Sequence, residues 1–393
     1  MQQTQKYIAV LQKLKTEFDT PAWKRSLMLW LALNLLLSGM GGLAWRLHSP
    51  IRPDDPYNLW GSTPIDEGLP GALEGVWLRW DALHYLHIAQ EGYNADVVSA
   101  FFPLYPLLGH AAGWLLGGDD LGSLLLVSRL AFLLALVVLY KMAAQRFDDD
   151  IATFAILFAS IYPMGLYWFA PYPLGLALLF SLISLECATK KKWLAAALSG
   201  LAAGLTHGTT IPLALGLLTV WFLQVRKDRR AWLLLPATAA PPLGTLLFFA
   251  WRIRQGFPPI NQLLETIWLR AMQPPWMIVG DFQRFFNVYL GHPDGWINLA
   301  LFLFGVGMLV VCIRRLEASM WVYQLGMIVY LCMTTNYTTP FGSYGRYLMM
   351  AFPSFMALPL AARGKGARLA IVGVWFFSML FMAMVYFEWG WLA

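Results

Sequence analysis

Apolar runs of membrane-spanning length alternate along this chain with short basic turns. A spanning helix needs about 20 largely apolar residues. Segments 26–46, 121–140, 151–170, 231–251, 296–314, 319–335, 346–362 and 368–388 come close to that pattern. Two further apolar stretches are interrupted. Segment 171–188 is broken by prolines, and 193–225 is too long for one crossing. The latter carries His207-Gly208-Thr209-Thr210-Ile211-Pro212 near its middle, which predicts two short helices hinged there. The pattern predicts an all-α polytopic membrane protein of about eleven spans, forming a single integral-membrane domain over 1–393.

One apolar segment, FFPLYPLLGHAAGWLLGG at 101–118, is ambiguous by pattern and is decided by charge. Basic residues collect on the cytoplasmic side of membrane proteins. With residues 1–25 cytoplasmic (Lys6, Lys13, Lys15, Lys24, Arg25) and 101–118 not crossing, the same side receives five further groups. These are Lys141 with Arg146, Lys190 to Lys192, the cluster from Arg226 to Arg230, and Arg314 with Arg315; Arg363, Lys365 and Arg368 follow. A crossing at 101–118 would send every later cluster outside. The segment is therefore expected to be re-entrant or interfacial. Two long loops, 47–120 and 252–294, then face outward. The first carries Asp54, Asp55, Asp66, Glu67, Glu74, Asp81, Glu91 and Asp96 against Arg52 and Arg79, and it is too large to be a mere connection.

Composition narrows the class. Hydrophobic residues make up 59% and charged residues 13%, against about 25% charged in an ordinary soluble domain. A soluble globular enzyme, a disordered chain and a nucleic-acid binder are excluded. The net charge of +6 is accounted for by topology signals. Cys187, Cys312 and Cys332 sit in apolar runs without a CxxC pair, so neither a disulfide framework nor structural zinc is expected. The N-terminal stretch lacks the early apolar core of a signal peptide, so the first apolar segment is expected to remain as a span.

The stretch RWDALHYLHIAQEGY at 79–93, followed by AFFPLYPLL at 100–108, combines an acid, two histidines and several aromatics at the predicted outer face. On a helix, Asp81, His84, Tyr85 and Ile88 share one side. An amphipathic helix lying in the interface would turn Trp80, Tyr85 and Ile88 toward lipid or protein. A carboxylate half-buried beside Trp80 suits a general base. His84 and His87 with Glu91 form only a weak metal pattern, and no metal is expected. No Walker or Gly-rich nucleotide loop occurs on the cytoplasmic side, so an external site needs a donor already carried across the bilayer.

These motifs resemble the first external loop of the PIG-V family, GPI mannosyltransferase II and its prokaryotic relatives, within the GT-C superfamily of integral-membrane glycosyltransferases. Further stretches match in order: SRLAFLLALVVLY (128–140), FDDDIA (147–152), APYPLGLALL (170–179), LTHGTTIPLAL (205–215) and SYGRYLMMAFPSF (343–355). Two positions depart from the pattern. Relatives read APYTESLF where this chain has Pro173-Leu174-Gly175 and no acid, and they carry Arg where His207 stands.

The resemblance implies an inverting transferase, metal-independent and without a cofactor, using a polyprenyl-phosphate sugar donor, most simply mannose. The acceptor would be a hydroxyl of a glycolipid or glycan. Asp81 would be the catalytic base. Arg346 would meet the leaving phosphate, with His207 and Arg129 next. Arg79, Trp80, His84 and Tyr85 flank the base, Asp96 is a second loop acid, and Tyr105, Tyr172 and Tyr344 would line the sugar site; Tyr337 is a weaker candidate. The setting would be a prokaryotic plasma membrane, or the ER membrane in a eukaryote, with the site extracytoplasmic. Two other readings stand beside this one: a lipid or solute transporter or flippase, and a non-catalytic relative.

Overall fold

The computed structural model describes residues 17–47 and 67–390. Lys6, Lys13 and Lys15, and the loop residues Arg52, Asp54, Asp55 and Asp66, lie outside the described residues. The described residues are helical apart from one two-stranded ladder. In order it forms α1 (Pro21–Leu47), α2 (Gly68–Leu73), α3 (Asp81–Glu91), α4 (Leu104–Leu115), α5 (Asp120–Arg146), α6 (Asp149–Ser160), α7 (Leu174–Thr189), α8 (Trp193–Thr206), α9 (Leu213–Val225), α10 (Ala240–Arg254) and α11 (Ile260–Ile267). Then come β1 (Arg270–Met272), α12 (Ile278–Arg284), α13 (Pro293–Arg315), α14 (Ala318–Cys332), β2 (Thr334–Asn336), α15 (Phe352–Ala361) and α16 (Lys365–Phe387).

Among the described residues, six helical stretches are long and apolar enough to cross a membrane: Pro21–Leu47, Asp120–Arg146, Gly208–Val225, Arg229–Arg254, Pro293–Arg315 and Lys365–Phe387. The chain is an integral membrane protein. Four shorter apolar helices, α7, α8, α14 and α15, complete the bundle. Helix α7 is buried on almost every side and packs on α5, α8 and α9. The outer helices show apolar faces that water would not tolerate, such as Met28 and Leu35 on α1 and Phe377 and Phe381 on α16, and these are the faces suited to hydrocarbon. Helices α8 and α10 cross at Gly204 and Gly244. A Cβ on Gly204 would run into the Pro241 carbonyl, and one on Gly244 into the Leu201 carbonyl, the small-residue contact that lets membrane helices approach closely.

Two expected spans are not continuous helices. Helix α6 stops at Ser160, and residues 161–173 run irregularly, with one short 3-10 turn at Gly165–Trp168. Pro163, Pro171 and Pro173 explain the break, because proline lacks the N–H and clashes with the preceding turn. The whole stretch is buried in protein, the condition under which irregular backbone is tolerated at membrane depth. Its carbonyls are put to use: Phe169 accepts from Arg129 Nε at 3.0 Å and Tyr172 from Ser128 Oγ at 2.9 Å. Likewise 346–362 begins in a one-turn helix (Tyr344–Tyr347) and a 3-10 turn (Leu348–Met350), breaks at Ala351 and continues as α15 from Phe352, with Pro353 in the first turn, where proline is accepted. Segment 101–118 yields α4, twelve residues or roughly 18 Å at 1.5 Å per residue.

One end of the bundle gathers the basic turns. Arg25 donates to Tyr140 Oη at 2.7 Å and to the Asp149 carbonyl at 3.0 Å. Arg146 bridges Glu186 and Glu317, each at 3.1 Å. Lys190 pairs with Glu186 at 2.9 Å, Arg368 with Asp150, and Lys141 with Glu17. Asp148 caps α6 by accepting the Ile151 N–H at 2.8 Å. The three acids of FDDDIA thus do three different jobs: a cap, a hydrogen-bond partner for Tyr140, and an ion pair. Helix α16 starts at this end with Arg368 and finishes at Phe387, roughly 30 Å away, at the end where α3 and the loops collect.

Candidate active site

At that second end lies a cavity of about 290 Å³. Its lining joins α3 (Asp81, Tyr85), the 100–102 stretch, the His207 hinge, α10 (Thr245, Phe249), α11 with Trp268 and β1, and the 343–347 turn through Arg346 and Tyr347. Most of the wall is aromatic or aliphatic. The charged lining groups are Asp81, Arg270 and Arg346.

Asp81 is the first residue of α3. The residue before it, Trp80, has φ 56°, a conformation costly for a bulky side chain and the sort of strain that collects at functional sites. It is held there because the Trp80 indole donates to the Gly390 carbonyl at 3.2 Å. The Asp81 N–H donates to Tyr172 Oη at 3.2 Å, and that hydroxyl donates in turn to the Arg79 carbonyl at 3.3 Å. The Asp81 carboxylate accepts from Arg346 Nη1 at 2.7 Å. The pair is nearly withdrawn from solvent, with side-chain exposures of 19% and 7%. The Arg346 guanidinium also lies 5.4 to 5.7 Å from the ring centres of Tyr167, Tyr172 and Tyr347, a distance at which ring quadrupoles attract a cation.

Of the residues singled out in the sequence, Asp81, Tyr85, His207 and Arg346 line the cavity. His207 accepts the Thr209 N–H at its Nδ1 (3.2 Å), so in the neutral ring Nε2 carries the proton. The others lie behind the wall or away from it. Arg79 is buried, donating to the carbonyls of Gly75, Leu78 and Phe387 and stacking over Trp389 at 4.4 Å. Burial lowers its pKa to about 10, still fully protonated at neutral pH. His84 stacks on Phe101 at 4.5 Å, and burial pulls its imidazole down to about 4. Tyr105 donates to the Leu124 carbonyl at 3.0 Å, and Tyr344 to the carbonyls of Leu331 and Thr334 at 2.6 and 2.7 Å. Arg129 lies against Trp77 at 4.9 Å. Asp96 is exposed at the head of a 3-10 turn. Tyr172 acts on Asp81 from behind, through its backbone.

Helix α3 turns its apolar side toward protein, one of the two surroundings that its pattern allows. It is buried on almost all sides: Ala82 to Leu86, Ile88 and Ala89 are inaccessible. Phe101 and Trp268 cover one flank through His84, and the end of α16 covers its start. Leu174, at the position where the resemblance leads one to expect an acid, is buried. Among the described residues no cluster of three or more His, Cys, Asp or Glu side chains could hold a metal ion.

Pattern reading missed Arg270, Trp268, Tyr330 and Tyr347. A three-residue strand has no period to read, and a single arginine in WLRAM carries no motif. Tyr347 sat inside SYGRY without being singled out.

A family model described as Mannosyltransferase (PIG-V) matches residues 48–258, just over half of the chain. No curated protein matches. The fold is similar to that of the oligosaccharyltransferase of Archaeoglobus fulgidus solved with zinc and sulfate: TM-score 0.43, 14% identity, covering 90% of this chain and 53% of that one. It is similar also to AglB of the same organism in complex with an inhibitory peptide and a dolichol-phosphate: TM-score 0.41, 13% identity, 91% and 55% covered. The chain spans about half the length of both.

Proposed function

The chain belongs to the PIG-V mannosyltransferase family, and from that premise we propose that it moves mannose from a polyprenyl-phosphate donor to a hydroxyl of a glycolipid or glycan. The observation that carries this reading is the Asp81–Arg346 pair, 2.7 Å apart, set in the wall of an otherwise mainly apolar cavity. A lipid-linked phosphate sugar presents the matching parts: an apolar tail, one anionic phosphate and a sugar.

The step runs as an inverting displacement. Asp81 takes the proton of the acceptor hydroxyl as that oxygen attacks the anomeric carbon from the face opposite the phosphate. The bond from that carbon to the phosphate oxygen breaks, and its electron pair leaves with the phosphate as polyprenyl phosphate. Negative charge grows on the leaving oxygen in the transition state. A guanidinium already aimed into a largely apolar cavity stabilises it without reorganisation. Arg346 is the group for that role, with the His207 imidazole on the neighbouring wall. In the resting protein Asp81 and Arg346 satisfy each other. Arrival of a phosphate gives Arg346 a second anion and frees the carboxylate for the hydroxyl.

The wider reading is a GT-C-like bundle of about eleven crossings in a prokaryotic plasma membrane. Residues 1–25 would be cytoplasmic, 47–120 would form the external catalytic loop and 252–294 the second external loop. It is supported by the collection of basic turns at one end of the bundle and the cavity at the other, as the bias of basic residues toward the cytoplasm requires.

The test uses purified protein in detergent, radiolabelled polyprenyl-phosphate mannose and a panel of mannosyl lipid acceptors. Wild type is expected to transfer label, and Asp81→Asn to lose about a hundredfold to ten-thousandfold of the rate while still binding donor. Undiminished transfer by Asp81→Asn would remove Asp81 as base.

A further inference from the structure

The second arginine of the cavity has no role so far. Arg270 sits on β1, in the loop following the residues matched by the family model. Among the described residues no carboxylate lies within ion-pair distance of it. Its partners are two hydroxyls: Nη1 donates to Tyr347 Oη at 2.8 Å and Nη2 to Ser343 Oγ at 2.5 Å. Arg346 Nη2 reaches the same Ser343 oxygen at 3.5 Å. Two guanidinium groups therefore converge on one buried oxygen, and both lie beside the Tyr347 ring, at 5.9 and 5.7 Å from its centre. With Asp81 offsetting one of them, the lining holds a single uncompensated positive charge.

The scaffold fixes this arrangement. Strand β1 pairs antiparallel with β2, with Arg270 opposite Asn336. Asn336 Oδ1 accepts the N–H groups of Thr338 and Thr339 at 2.9 and 3.0 Å, which turns the chain toward Phe341 and Ser343. Both of those residues are in the left-handed region, φ 64° and 67°, a cost for non-glycine residues. Behind the ladder, buried Asp281 accepts from Thr335 Oγ1 at 2.6 Å and pairs with Arg284, and Arg284 donates to the same Thr335 hydroxyl at 2.6 Å. Beside Arg270, Ile260, Leu264, Trp268 and Met272 line the cavity as an apolar wall.

We propose that Arg270, set by the two-stranded ladder and the strained Ser343 turn, is the second phosphate-binding residue of the cavity. With Arg346 it would cradle a singly charged lipid phosphodiester whose chain runs along the α11–Trp268 wall. The inference rests on the donor reading given above. An anion placed beside Ser343 Oγ accepts from both forks, the bidentate geometry that arginine offers phosphate and lysine does not.

The experiment measures binding rather than transfer. Purified wild type, Arg270→Gln, Arg270→Lys and Arg346→Gln are titrated in detergent with polyprenyl phosphate and, separately, with polyprenol, which lacks the phosphate. Thermal melts check that each variant is folded. The expected result is a loss of about ten- to a hundredfold in polyprenyl phosphate affinity for Arg270→Gln. A smaller loss is expected for Arg270→Lys, and polyprenol affinity unchanged in both. Unchanged phosphate affinity in Arg270→Gln, with affinity lost in Arg346→Gln, would overturn this inference and leave the donor reading standing. Equal losses for both lipids would make Arg270 a structural tie and also overturn it. If wild type binds polyprenyl phosphate no better than polyprenol, the donor reading falls and takes this inference with it.

Discussion

The two ends of the bundle handle charge in opposite ways. At the basic end cations and anions are numerous and mutually satisfied, and every pair but the withdrawn Arg146–Glu186 has at least one exposed partner: Arg146 is shared by two glutamates, Glu186 by two cations. At the cavity end charges are few and withdrawn from water, and cations outnumber anions in the lining, Arg270 and Arg346 against Asp81. Exposed pairs of the first kind are worth about 0 to 1 kcal/mol each and serve mainly to fix orientation. A desolvated arrangement of the second kind is costly to break, and its imbalance is what a ligand of opposite sign can relieve. The contrast separates a fastening from a binding site more sharply than residue type does, since both ends are built from Arg, Asp and Glu.

Substitutions sharpen that contrast, beginning with the largest effect. Arg346→Gln is expected to cut transfer about a hundredfold to a thousandfold, as loss of a preorganised charge-stabilising donor does. It should also lower thermal stability by about 3 kcal/mol or more, because Asp81 is left buried without its partner. Combining it with Asp81→Asn should recover part of the stability and none of the rate. Full additivity of the two stability losses in melting experiments would argue that the pair is not coupled.

A middle-sized effect is expected from His84. The folded protein keeps this imidazole neutral until about pH 4, whereas an unfolded chain takes up the proton near pH 6.5. The stability it contributes is thus complete above pH 6.5 and is lost as the pH falls toward 4. Between pH 7 and 5 the loss amounts to about 2 kcal/mol. His84→Phe, which preserves the stack on Phe101, should show a shallower fall in melting temperature over that range. An identical fall in wild type and variant would assign the acid sensitivity elsewhere.

The smallest effect is expected at the other end. Lys141→Ala removes the exposed pair with Glu17 and should cost less than about 1 kcal/mol while leaving transfer unchanged. A tenfold loss of rate would show that the basic end takes part in the reaction after all.

Much of this contrast is legible in the sequence, for identifiable reasons. Basic turns declare themselves by spacing, and the structure brings Arg25, Lys141, Arg146, Lys190 and Arg368 to one end. Asp81 and Arg346 stand in motifs 265 residues apart that the fold joins. The breaks after Ser160 and before Phe352 escaped a hydropathy reading because irregular chain buried in protein is as apolar as a spanning helix. The prolines at 163, 171 and 173 were the available signal. The pattern of α3 shows an apolar side but not how many neighbours cover it. Arg270 was invisible because its position depends on a three-residue ladder and on hydroxyls from the far side of the sequence.

Arg79 and Trp80, just ahead of the proposed base, are held by the Phe387 and Gly390 carbonyls and the Trp389 ring. During synthesis these partners leave the ribosome some three hundred residues after the segment they hold. The loop that carries Asp81 is therefore fastened only once α16 and the residues just after it have been made. A nascent chain that lacks them would hold its acid loosely, so the proposed site is completed in one late step rather than progressively along the chain.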